Sequence, residues 1–221
     1  MYHRINHPDS NSSLTISPEN FAQQMDWLEK SRFHFLSLDE VVDRQGKIPL
    51  WERSVALTFD DGFQDNRENA FSLLIKRGRT AALFVVVNWV GKEGHLGWDE
   101  IRELSQLGIL IGSHSLSHRW LPEIPSDEEL QKEVVDSKKR IEDEIGKEVR
   151  HFSYPVGGTD QRAAEWVKRA GYRAAWVAGA RPSYTASRDP RLTLRRIKVG
   201  PSDANPLLFS IKALGLKSLF H

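Results

Sequence analysis

The sequence predicts an α/β fold in the form of an incomplete, distorted (β/α) barrel, and three features predict it. Short apolar runs alternate with longer segments of 3.6-residue period along almost the whole chain, the pattern of parallel βαβ units. About five or six such units fit within 221 residues, and no Pro/Gly/Ser-rich linker divides them, so residues 1–221 are expected to form a single domain. The sharpest polar motifs fall where the short runs end, and in β/α barrels those ends share one rim, where active sites form.

The elements follow in order. Ser17-Pro18-Glu19 supplies an N-cap, a first-turn proline and an early acid, and opens a helix to about Lys30. Val55 to Phe59 reads as one buried strand, stopped by the Asp60-Asp61-Gly62 turn. Asn66 to Arg77 is helical and ends at Gly78, a residue suited to a left-handed cap. Ala81 to Val87 is a second strand. A helix over Trp98 to Leu107 follows, with Gly108 after it and Ile109 to Ser113 as the third strand. Ser126 with Glu129 is a capping-box pair for a long helix reaching about Ile145 and closed by Gly146. Its charge-dense stretch, Glu128 to Glu148, is expected to be a solvated face. His151 to Tyr154 is a short strand running into Pro155-Val156-Gly157-Gly158, and Asp160 to Ala170 is helical. Arg173 to Val177 and Leu194 to Val199 are the last strands. The apolar tail over 205–221, interrupted by Lys212 and Lys217, is expected to be an amphipathic helix closing the core.

Composition excludes several classes. Acidic and basic residues nearly cancel, at a formal net charge of +1, so nothing favours nucleic acid as a partner. No run of 18 apolar residues exists, so no transmembrane segment is expected. The opening MYHRINHPDS lacks an apolar h-region, which excludes a signal peptide in the chain as given; a complete chain would then be cytoplasmic or membrane-peripheral. With no cysteine, thiolate chemistry is absent and any metal must be held by His, Asp or Glu.

Two motifs carry chemistry. Asp60-Asp61-Gly62 reads either as a plain Asp-Gly turn or as a pair of carboxylates whose repulsion a cation relieves. His114-x-x-x-His118 brings two imidazoles within reach of one ion if the segment makes a helical turn. It lacks the Glu of the zinc-peptidase His-Glu-x-x-His helix. Two His and one Asp leave coordination positions open, the catalytic rather than the structural pattern. The chemistry indicated is metal-assisted hydrolysis with a carboxylate base. It leaves the bond unnamed.

Thr58-Phe59-Asp60-Asp61-Gly62, then His114-Ser115-Leu116-Ser117-His118, then Phe152-Ser153-Tyr154-Pro155-Val156-Gly157 resemble, in order and spacing, the polysaccharide deacetylases (NodB-like, carbohydrate esterase family four). Tyr2-His3-Arg4-Ile5 and Arg196-Ile197 are similar to the branch containing poly-N-acetylglucosamine deacetylases. The resemblance implies the barrel fold and an acetylated carbohydrate as substrate, N-acetyl rather than O-acetyl. It implies one divalent transition metal, zinc first and Co, Ni, Mn or Fe as substitutes. By position, Asp61, His114 and His118 would be the ligands and Asp60 the base that deprotonates the metal-bound water. The backbone N–H of Val156 would help hold the oxyanion. Three departures stand out. Ser153 occupies a position where many members have an arginine, for which Arg195 or Arg196 of the last strand are the substitutes. No Leu-His pair lies near the C-terminus to serve as general acid, and His3 is the candidate replacement, a histidine that titrates in the neutral range. The family's Asp-Trp pair is missing, although Trp176 lies on the corresponding strand.

The remaining signals are weaker. His34, His95 and His151 read as ordinary histidines, and His7, His221 and the Arg188 to Arg196 stretch carry no specific signal. Trp89, Trp98 and Trp120 either stack on sugars or pack in the core. Two rival functions stay open: a glycan-binding protein that kept the metal site without turnover, and a C–N hydrolase of small cyclic amides.

Overall fold

The computed structural model describes residues 1–7, 13–45, 47, 52–178 and 189–214. Four two-residue strands, β1 (Arg4–Ile5), β2 (Thr15–Ile16), β3 (His34–Phe35) and β4 (Ser54–Val55), form two small parallel pairs, β1 with β2 and β3 with β4. The principal sheet contains β5 (Thr58–Phe59), β6 (Ala82–Val85), β7 (Leu110–Ser113), β8 (His151–Ser153), β9 (Ala174–Ala178) and β10 (Leu194–Arg196). All six are parallel, in the order β10-β9-β8-β7-β6-β5.

The sheet curls until its two edges nearly meet, and Met1 and Tyr2 bridge them. The Tyr2 N–H donates to Thr58 O at 2.8 Å and the Asp60 N–H to Tyr2 O at 3.0 Å. On the other edge the Met1 amino group donates to Ile197 O at 2.9 Å and the Val199 N–H to Met1 O at 2.9 Å. The expected incomplete, distorted barrel is therefore present, with a seam two residues wide.

Local chemistry explains the helices. Ser17 accepts from the Asn20 N–H at 3.2 Å and caps Pro18–Lys30, which buries Phe21, Met25 and Leu28 at core-facing spacing. A helix over 64–76 widens to a π turn at Arg67–Phe71. Ser126 caps a helix over 127–145 that also widens, at Lys132–Asp136, before Gly146 ends it at φ 65°. In the tail, Pro206–Ala213 is helical and seats Phe209 edge-on against Trp27; residues 215–221 lie outside the described set. Its Leu207 and Leu208 are exposed, so only part of the expected amphipathic closure is seen. One apolar cluster runs from Tyr2 to Phe209, and a smaller one joins Leu38, Ala82, Phe84, Ala174 and Trp176. No helix among the described residues is long and apolar enough to cross a membrane.

Two sequence expectations need correction. Val55 to Phe59 is not one strand: Ser54–Val55 pairs with β3, and only Thr58–Phe59 enters the principal sheet. The helix Leu38–Asp43 was not anticipated, although Ser37 and Glu40 form a full capping box for it. At six residues it is too short to show a period.

Candidate metal centre and active site

Apart from His3, which precedes β1, the candidate groups stand at or just after the C-terminal ends of strands. Asp60 and Asp61 follow β5, His114 follows β7, Ser153 ends β8 and Arg196 ends β10. Turning the chain so sharply requires unusual backbone. Among the described residues five non-glycines have positive φ, and four of them lie here: Asp61 (76°), Ser115 (67°), His118 (64°) and Val156 (58°). Such conformations cost energy and collect at functional sites.

Asp61, His114 and His118 each offer a ligand atom, and the three lie within 4.8 Å of one another. Asp61 Oδ1 stands 3.5 Å from His114 Nε2 and 3.4 Å from His118 Nε2. Two donors bound to one tetrahedral ion at about 2.0–2.2 Å would stand roughly 3.4 Å apart. His114 Nδ1–H donates to Ser153 O at 2.7 Å, which fixes the tautomer and leaves Nε2 a free lone pair. Asp61 Oδ1 is buried and has no hydrogen-bond partner. An unsatisfied carboxylate oxygen facing two imidazole nitrogens is a donor set that fits a divalent cation. The spacing is achieved by a loop with left-handed residues rather than by the helical turn the sequence suggested.

Electrostatics separate the two aspartates. Burial and the charge of Asp60 push the Asp61 carboxyl up to about 7, against the pull of Arg196. Burial is also the largest influence on Asp60, but it is overcome by the Arg196 guanidinium, which holds the carboxyl well below the usual carboxylate range. Arg196 Nη1 donates to Asp60 Oδ1 and Nη2 to Oδ2, both at 2.7 Å, while Nη2 also reaches Ser153 Oγ at 2.7 Å. Of the two substitutes for the missing family arginine, Arg196 therefore meets Asp60, with Ser153 as a shared partner. Burial lowers His114 to about 4 and lowers His118 as well, which favours the neutral form of both rings.

His3 follows the bridging Tyr2, and its side chain and Asp60 influence each other's charge; its Nδ1 is buried without a partner. Its expected neutral-range titration is corrected: burial takes it down to about 4, opposed by Asp60 and assisted by Arg196 and Lys198. Val156 is 71% exposed on the Pro155–Gly157 turn. Trp89 leans on the His118 ring at 4.9 Å, whereas Trp98 packs over Arg140 and Trp120 against Gly158. His151 is a satisfied core histidine between Asp39 (3.2 Å) and the Trp176 indole N–H (3.4 Å).

Sequence reasoning misplaced one residue. Glu133, assigned to a solvated face, is only 4% exposed and accepts from the Leu116 and Ser117 N–H groups at 3.0 and 2.9 Å. The signal was available: Leu130, Val134, Ser137 and Ile141 form the buried stripe, and Glu133 falls in register with it.

Residues 47–175, more than half of the chain, match the polysaccharide deacetylase family. YxkH of Bacillus subtilis, assigned to the polysaccharide deacetylases, is 32% identical over 91% of this chain and 70% of its own. The poly-beta-1,6-N-acetyl-D-glucosamine N-deacetylase of Staphylococcus aureus is 26% identical over 73% of this chain, which spans 60% of that protein. Among solved structures, IcaB from Ammonifex degensii superposes with a TM-score of 0.80 at 25% identity, covering 95% of this chain and 93% of its own. The motifs, the barrel and the matched sequence agree, and the chain belongs to the polysaccharide deacetylase family.

Proposed function

We propose that this chain hydrolyses acetyl groups, N-acetyl in preference to O-acetyl, from a polysaccharide or glycan precursor, with one divalent transition metal, zinc first, held by Asp61, His114 and His118. The observation that carries the reading is the contrast between the aspartates: Asp61 keeps an unpartnered oxygen toward two imidazoles, while Asp60 is locked to Arg196. The N-acetyl preference draws support from the Staphylococcus aureus relative.

When bound, the ion would supply Lewis-acid polarisation of the acetyl carbonyl and lower the pKa of water. Asp60 is the general base, kept ionised and aimed by Arg196 and Ser153. The Val156 N–H, on an exposed turn, donates to the oxyanion that develops on the carbonyl. His3, whose side chain and Asp60 influence each other's charge, is the candidate to protonate the leaving amine.

The test is acetate release from a panel of N- and O-acetylated sugars and polymers, using chelator-stripped protein supplied with each divalent ion in turn. Release that depends on added metal supports the reading. Equal release from stripped and reloaded protein, or none from any substrate, refutes it.

A further inference from the structure

The two imidazoles of the centre are held in different ways. His114 is fixed by its Nδ1–H donation to Ser153 O. Among the described residues the His118 ring makes no hydrogen bond; it leans on Trp89, and its backbone sets its direction. That backbone is strained, with left-handed φ at both Ser115 and His118. Ser115 Oγ accepts from the His118 N–H at 3.0 Å, which spans the turn from inside. From behind, the Glu133 carboxylate accepts from the Leu116 N–H, the Ser117 N–H and the Ser117 hydroxyl.

Glu133 reaches this loop from the wide turn Lys132–Asp136 of the helix over 127–145. Its three partners are all donors, a role that the acceptor-only carboxylate fills. None is a cation, and among the described residues Glu133 forms no ion pair. A buried carboxylate without a counter-charge is costly unless a positive charge lies near. A charge count identifies that charge. Asp60 is cancelled by Arg196, and neither Asp61 nor Glu133 meets a Lys or Arg side chain among the described residues. Asp61 and Glu133 remain, two negative charges that one dication balances.

We propose that Glu133 is a positioning residue of the metal centre: its carboxylate clamps the loop that aims His118 and supplies the second negative charge for a divalent ion. This rests on the metal-dependent reading above. A carboxylate that served only to stabilise the loop would act on the metal-free protein and leave the affinity of the folded form unchanged.

The experiment uses three variants of the full chain. Glu133→Gln keeps the length and one acceptor oxygen but removes the charge; Glu133→Asp keeps the charge with a shorter reach; Ser117→Ala removes one donor. For each, the Zn²⁺ dissociation constant is measured by competition with a chromophoric chelator, the Co²⁺-loaded protein is examined by visible absorption, and the metal-free protein is melted. Glu133→Gln should weaken Zn²⁺ binding about 10–100-fold, the usual effect of losing an outer partner of a ligand. Its Co²⁺ bands should change, Glu133→Asp should recover part of the affinity, and Ser117→Ala, which removes one of three donors and keeps the charge, should weaken binding less than Glu133→Gln. Parent-like Zn²⁺ affinity and Co²⁺ bands in Glu133→Gln overturn the inference while leaving the metal reading intact. If the parent protein binds neither ion, the metal reading fails and takes this inference with it. Should Glu133→Gln not fold, Glu133→Asp decides: a shortened clamp must lower affinity and perturb the bands, and unchanged values overturn the role.

Discussion

Arg196 and Asp60 meet across the seam of the barrel in a two-pronged pair, both N–O distances being 2.7 Å. The pair is almost fully buried, and Arg196 also lies over the Phe84 ring. Parallel bonds of this kind fix direction as well as charge. The carboxylate is thus presented in one orientation, and it stays ionised in a site that would otherwise favour its acid form.

Arg196→Gln should move the acid limb of kcat/KM upward. The folded-state pKa of Asp60 is depressed, so the pair stabilises the fold above the unfolded carboxyl value of about 4, and that stability is lost as pH falls through the lower folded value. Without the guanidinium the carboxyl should rise by about 1–3 units or more, since burial is then unopposed. A pH–rate profile checks this. An acid limb that does not move would assign the base to another group.

Asp60→Asn should leave metal content unchanged and lower kcat/KM by about 10²–10⁴-fold, the range for a positioned base. Elemental analysis beside acetate release separates the two effects. Nearly full activity would exclude Asp60 as the base, and inactivity of the parent protein on every acetylated glycan it binds would favour a glycan-binding role.

Metal uptake should release about one proton at pH 6 and about half of one near pH 7. Asp61 is raised to about 7 by burial and by Asp60, and an ion requires its carboxylate form. His114, lowered to about 4, does not compete above that value. Below about pH 7, affinity should therefore fall roughly tenfold per unit of acidification, and more steeply wherever His118 and His114 also take up protons. The sign for the metal-free protein is the reverse of Asp60's. A raised folded pKa stabilises fully below about 4 and is lost as pH rises through about 7, so metal-free protein should melt higher at pH 5 than at pH 8. Calorimetric titration in two buffers of different ionisation enthalpy counts the proton directly.

His3→Ala should depress turnover on N-acetyl substrates more than on O-acetyl ones, with metal content preserved, because an amine leaves poorly unless protonated. Comparing kcat on paired N- and O-acetyl substrates gives the measure. Equal, small losses on both would return His3 to a packing role.

The legible part of this protein was the part written in local order. Asp60-Asp61 and His114-x-x-x-His118 stand at ends of recognisable apolar runs, so both residue type and rim position could be read. The last strand was also read as a source for the missing arginine, although the choice between Arg195 and Arg196 depends on which face of β10 looks inward. What escaped was set by tertiary contact. Strands of two residues such as Arg4–Ile5 have no period to detect. Val55 and Phe59 look continuous in sequence because both are apolar, yet they belong to different sheets. Glu133 was hidden by its charge, which outweighed its register. His3 was misjudged because burial, invisible in sequence, governs its protonation.

The bridged seam ties catalysis to the order in which the chain is made. Asp60, Asp61, His114 and His118 all precede the helix over 127–145, whereas the guanidinium that tames Asp60 comes 136 residues after it. Contacts so distant in sequence form late, because the loop between them must first be closed. A nascent chain ending before β10 would carry Asp61, His114 and His118 but leave the Asp60 carboxylate without its guanidinium partner. On the proposed reading, hydrolytic competence would be conferred by β10, and the site would double as a record that the barrel has closed.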